Sequence, residues 1–134
     1  MNRDFDYYML DKDNNPVGTN DIKLYGQWKR TPEAEAQRAV GRDEVGEYYI
    51  RTSFILIDHG FGAGGPPVLW ETLITGPEGS EYDQFIDRYT SHAAALRGHK
   101  KYVERLRAAL PPPEEPPAPV KHLKGRKRPI MDDE

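Results

Sequence analysis

At 134 residues, with no cysteine and a formal charge of −3, the chain fits one domain and excludes disulfides, thiol catalysis and cysteine-ligated zinc. The small net charge gives no whole-molecule pull toward nucleic acid or anionic lipid, and no apolar run approaches the roughly 20 residues of a membrane span. A charged fraction of 31% and a mean hydropathy of −0.84 predict a soluble protein, expected in the cytoplasm.

The opening MNRDFDYYML is acidic and aromatic and carries no apolar leader. Its β-formers from Phe5 to Leu10 predict a strand. The turn residues of DKDNNPVG predict a reversal, closing a hairpin near Val17. TNDIKLYGQWKR reads as a short helix capped by Thr19 or Asn20, with Ile22, Tyr25 and Trp28 on one face. Gly26 weakens that helix by about 1 kcal/mol relative to Ala. TPEAEAQRAV starts as a helix but has little apolar face. One or two helical turns, or a loop, are expected there, feeding a strand near Gln37 to Asp43. A hairpin turn is expected at Gly46.

EYYIRTSFILIDH is the strongest strand signal, and its apolar run from Phe54 to Ile57 predicts cover on both faces. PVLWETLITG is the next strand. Leu69, Glu71, Leu73 and Thr75 share one face of it; Val68, Trp70, Thr72 and Ile74 share the other. QFIDRY predicts a short edge strand. The last helix is capped by Thr90 or Ser91 and carries His92, Leu96, His99, Val103, Leu106 and Leu110 at alternating steps of four and three, a single stripe. From Pro111 the composition changes. PPPEEPPAP is an extended spacer, and VKHLKGRKRPIMDDE is basic, then acidic.

The assembled expectation is α+β: a single domain over residues 1–110, with a small antiparallel sheet of about four strands covered by one or two helices. Residues 111–134 are expected to form a Pro-rich, basic tail, disordered when alone. The middle order α-β-β-β-α is loosely that of a double-stranded-RNA-binding domain, a likeness of fold order alone. The lysine-rich start that such domains give their last helix is absent, because this helix opens with SHAAAL.

The loop GFGAGGPP resembles a phosphate cradle at first sight. Nucleotide motifs, however, need a helix opening directly after the glycines. Here Pro66, Pro67 and a strand follow, so a stiffened connection between antiparallel strands is expected. Such a loop can instead shape a surface for a partner. Asp58 and His59 are adjacent and point apart in a strand. With Glu71 and His99 they are the candidates for acid–base or metal-dependent hydrolysis. No fixed ligand spacing points to a metal, and no motif points to a cofactor. The basic run with Lys121, Lys124, Arg126, Lys127 and Arg128 is of the type that contacts nucleic acid or an acidic surface.

The stretch Arg51 to Arg88, followed by a helix that carries Gly98 and His99, is similar to a group of small bacteriophage and prophage proteins. They share a strand, Asp-His, Phe-Gly-Gly-Gly-Pro-Pro, a strand with Glu-Thr, Arg-Tyr-Ser/Thr and a helix with Gly-His. The matching positions are Asp58, His59, Phe61, Gly62, Gly64, Gly65, Pro66, Pro67, Glu71, Thr72, Arg88, Tyr89, Gly98 and His99. Ala63 and Trp70, where Phe is usual, depart from the pattern. The resemblance implies a phage origin and a site around the loop, but no activity. The expectation that follows is a small phage-type accessory protein that binds a phage assembly component or a host protein, in the host cytoplasm or on the virion. Phe61, Gly62, Gly64, Gly65, Pro66, Pro67 and Trp70 are its expected contacts. A small hydrolase using Asp58, His59, Glu71 and His99 is the alternative, and a nucleic-acid binder working through the tail is the third reading.

Overall fold

The computed structural model describes residues 5–60 and 64–110. Phe61, Gly62 and the tail with Lys121, Lys124, Arg126, Lys127 and Arg128 lie outside the described residues. The architecture is α+β. A hairpin of β1 (Tyr7–Leu10) and β2 (Pro16–Thr19) precedes α1 (Ile22–Lys29) and α2 (Pro32–Arg38). An antiparallel sheet follows, in the order β3 (Ala39–Val45), β4 (Tyr48–Phe54), β5 (Trp70–Thr75) and β6 (Phe85–Tyr89), and α3 (His92–Ala109) closes the chain.

The hairpin turn forms because Asp11 Oδ1 accepts from the amides of Asp13 and Asn15, at 2.8 and 2.9 Å, while Asn14 takes a φ of 66°. Asp21 caps α1, correcting the expectation of Thr19 or Asn20: its Oδ1 accepts from the amides of Lys23 and Leu24. Thr19 Oγ1 is taken by the Asp21 amide and Asn20 Oδ1 by the Asp6 amide. Tyr25 is buried, but Ile22 is 62% exposed. Steps of three fall short of the 3.6-residue turn by about 60° each, so the expected stripe spreads over about 120° and Ile22 drops off its edge. Thr31 caps α2, a true helix of two turns, through the Ala34 amide. Gly46, at φ 60°, makes the turn between β3 and β4.

α3 lies across all four strands of the main sheet. Alternation sends Ile50, Thr52 and Phe54 of β4 and Trp70, Thr72 and Ile74 of β5 toward it, and all six are buried. In register, Phe54 faces Trp70, Thr52 faces Thr72 and Ile50 faces Ile74. The core therefore falls into two apolar clusters. One gathers Phe54, Trp70, Leu69, Ala95 and the hairpin's Tyr8 and Leu10. The other gathers Ile50, Ile74, Val45, Tyr102, Val103 and Leu106. The two threonines sit between them.

Two expectations need correction. The apolar run from Phe54 to Ile57 is not covered on both faces, since Ile57 is exposed. The strand stops at Phe54, and Leu56, at φ 72°, turns the chain away to accept the Tyr8 amide at 2.9 Å. The α3 stripe is also rotated: Ala95, Gly98, His99, Tyr102, Val103 and Leu106 are buried, whereas Leu96 is 47% exposed. The small residues Ala95 and Gly98 set this phase, because they let the helix approach the sheet closely. A Cβ on Gly98 would collide with the Tyr89 ring and hydroxyl.

Candidate functional site

The Gly/Pro segment joins two antiparallel neighbours, and no helix opens after its glycines. The Ile55 amide donates to the Leu69 carbonyl at 2.7 Å and the His59 amide to the Val68 carbonyl at 2.9 Å, which closes the base of the loop. Asp58 Oδ1 accepts from the amides of Gly60 and Val68, both at 2.8 Å. A carboxylate with two amide donors is a clasp, and bonds to a charged acceptor are roughly twice as strong as neutral ones. Gly64 and Gly65 are exposed with φ of 91° and 76°, and a Cβ at either would meet nothing within 4 Å. Glycine is needed there for the backbone conformation, not for space.

Trp70, expected as a partner contact, is fully enclosed. Its strand phase places it on the helix side with Thr72 and Ile74, edge-on to Phe54 at 5.2 Å between ring centres. Gly64, Gly65 and Pro66 remain exposed, and Pro67 is half-buried.

The hydrolase candidates do not converge. Asp58 is spent on the loop clasp. His59 sits half-buried at the loop base. Glu71 points to the sheet face opposite α3, where it pairs with Arg88 at 3.1 Å. His99 lies under α3. Among the described residues no group of three or more His, Asp or Glu side chains is arranged to hold a metal ion.

His99 instead enters a constellation that sequence reasoning missed. In register, Gly41, Thr52, Thr72 and Asp87 form one row across the sheet from β3 to β6. His99 Nε2 meets Asp43 Oδ2 at 2.7 Å, and its Nδ1 meets Thr52 Oγ1 at 2.8 Å. Thr52 Oγ1 meets Thr72 Oγ1 at 2.5 Å, and Thr72 Oγ1 meets the Tyr89 hydroxyl at 2.9 Å. Beside this chain the Tyr102 hydroxyl donates to Asp87 at 2.7 Å. Gly41 makes room for the imidazole: a Cβ there would lie 2.8 Å from ring atoms of His99.

The bonding order follows from donor chemistry. The Asp43 carboxylate accepts, so Nε2 of His99 carries a proton, and in the neutral imidazole Nδ1 is then an acceptor. Thr52 then donates to Nδ1, Thr72 donates to Thr52, and Tyr89 donates to Thr72. Each hydroxyl gives one proton onward, so the buried threonine hydroxyls are satisfied. Burial, with Asp87 adding to it, pushes the Tyr102 phenol well above its ordinary value, and burial likewise raises Tyr89.

Acid, imidazole and hydroxyl in sequence is the order used to activate a nucleophile. Here Thr52 is 0% exposed, so no substrate atom reaches its oxygen in this state. The signal that marks this belt is visible once known: Ile-x-Thr-x-Phe on one strand and Trp-x-Thr-x-Ile on the next put a polar residue at the middle of each buried face.

The other face of the sheet turns to solvent, with Arg42, Arg51, Ile86 and Arg88 exposed and Tyr49 at 38%. Comparison with protein-family models, with curated proteins and with solved structures finds no match to this chain.

Proposed function

We propose that the protein works by binding a macromolecular partner through its Gly/Pro loop. The observation that carries this reading is a loop whose tip, Gly64 to Pro66, is exposed while its base is fixed by the paired amide bonds to Asp58. Backbone fixed in this way at Gly60 and Val68 loses little conformational entropy on docking. The scatter of Asp58, His59, Glu71 and His99 over separate places supports binding over hydrolysis by that set. The resemblance to small phage proteins suggests a phage assembly component or a host protein as the partner, met in the host cytoplasm or on the virion.

The test is capture and cross-linking from infected cells with the full chain, comparing the wild type with Gly65→Ala and with Pro66→Ala/Pro67→Ala. The reading expects one defined partner, lost in the loop variants while their melting curves stay cooperative. Capture of the same partner by every loop variant would sink it. So would a hydrolytic activity that disappears in His99→Gln.

A further inference from the structure

Positive charge is gathered and left unbalanced where α2 runs into β3. Arg38 ends α2, while Arg42 of β3 and Arg51 of β4 stand directly opposite each other on the solvent face of the sheet. With Ser53 and Glu35 these arginines line a cleft of about 280 Å³. None of them forms an ion pair with a described residue; among the described residues Arg88 pairs with Glu71. Arg38 reaches only the Lys29 carbonyl, at 3.5 Å, and its Nε is buried without a hydrogen-bond partner among the described residues.

Nothing in the stability of the sheet accounts for this. Like charges directly opposite on neighbouring strands repel, and a buried guanidinium donor without an acceptor is costly. An anion in the cleft relieves the repulsion between Arg42 and Arg51. The lining also selects the anion. Among the residues that line the cleft, three guanidiniums stand against the single carboxylate of Glu35, a balance of +2 that a phosphate dianion matches and one carboxylate does not. The planar fork of arginine matches tetrahedral phosphate oxygens in pairs, and the Ser53 hydroxyl adds a further donor.

We propose that the cleft between α2 and the solvent face of the sheet is an oxyanion site that takes a phosphate group, carried by a phosphomonoester or free as inorganic phosphate. The site is independent of the partner-binding loop and stands or falls without it.

The probe is sodium phosphate, titrated into the full chain at constant ionic strength and followed by NMR of the arginine Nε–H groups. Sodium chloride and sodium acetate serve as parallel arms, and phenyl phosphate as a phosphomonoester. Saturable millimolar shifts at Arg38, Arg42 and Arg51 are expected with phosphate, or with phenyl phosphate where the ester is the better ligand. Arg42→Ala and Arg51→Ala should each weaken binding about tenfold or more, the loss of a charge-assisted bond. Arg42→Lys should weaken it too, because the fork is lost while the charge stays. Glu35→Gln should tighten it, a gain that a merely unfolded variant cannot mimic. Shifts no different from chloride, acetate binding as tight as phosphate, or full binding by the Arg42→Ala/Arg51→Ala double variant would overturn the assignment.

Discussion

Replacing Thr72 by Val tests the polar belt at its centre. The substitution nearly keeps shape and removes one hydroxyl, which accepts from Tyr89 at 2.9 Å and donates to Thr52 at 2.5 Å. Two hydrogen bonds disappear, each worth about 0.5–1.5 kcal/mol net. Tyr89 is half-buried, so water replaces part of its loss, whereas Thr52 is fully enclosed and recovers nothing. The expected cost is about 2 kcal/mol, equivalent to a melting-temperature drop of roughly 10 °C for a domain of this size. Urea denaturation measures it, with an unchanged slope showing that the unfolded state is unaltered. The Thr52→Val/Thr72→Val double variant gives the sharper reading. Each single change already breaks the bond between the two hydroxyls, so the double cost falls short of the sum by about 1 kcal/mol. Strict additivity, or a Thr72→Val variant within about 0.5 kcal/mol of wild type, would refute the bond between the two threonine hydroxyls.

Three other outcomes are expected. Burial raises the phenols of Tyr25, Tyr89 and Tyr102 above their ordinary value of 10.0. The unfolded chain therefore loses these protons first, and stability falls as pH rises above about 10. Urea midpoints between pH 8 and 11 should show the fall, with a shallower slope in Tyr102→Phe. The two helical glycines should respond in opposite directions. Gly26→Ala stabilises by up to about 1 kcal/mol, because its Cβ meets only the mobile end of Arg30, at 3.2 Å. Gly98→Ala destabilises by about 1–3 kcal/mol, because the clash with Tyr89 outweighs the gain in helix propensity. Thermal melts decide both. Asp58→Ala should speed hydrogen exchange at the Gly60 and Val68 amides many-fold while amides in the centre of β5 keep their protection; equal speeding everywhere would mean that Asp58 supports the whole fold, not the loop alone.

The sheet was legible wherever side-chain alternation is strong. β4, β5 and β6 follow from their β-branched and aromatic residues, and the turns at Asp11–Asn15 and Gly46 follow from turn chemistry. Helix faces were less legible. α3 lacks a dominant large apolar stripe in its first half, so Leu96 drew the expected face toward itself, while the true contact is made by Ala95 and Gly98. The site was only partly legible. Glycine and proline mark a loop, but nothing local says that Asp58 will bridge from Gly60 to Val68. Trp70 looks like a contact residue in isolation, and only its strand phase shows that it belongs to the core. The Asp43–His99–Thr52 chain joins β3, α3 and β4, and no short motif records contacts between positions 43, 52 and 99.

The belt also says why the helix sits as it does. Lifting α3 to bare Thr52 would expose Tyr102, Val103 and Leu106, each 6% exposed or less. At about 1.5–3 kcal/mol per large buried side chain, that opening costs roughly 5–9 kcal/mol. This is comparable to the whole stability of a typical domain, about 5–15 kcal/mol. An opening so costly keeps the Asp–His–Thr chain enclosed in the folded state. Its effect is on specificity of packing. Apolar clusters at both ends of the sheet tolerate some sliding or rotation of a helix. A buried imidazole that must meet Asp43 with one nitrogen and Thr52 with the other does not. His99, together with the close seat of Gly98 on Tyr89, thus fixes the rotation of α3, and with it the outward direction of Arg97, Lys100, Lys101 and Arg105 on the exposed side of that helix.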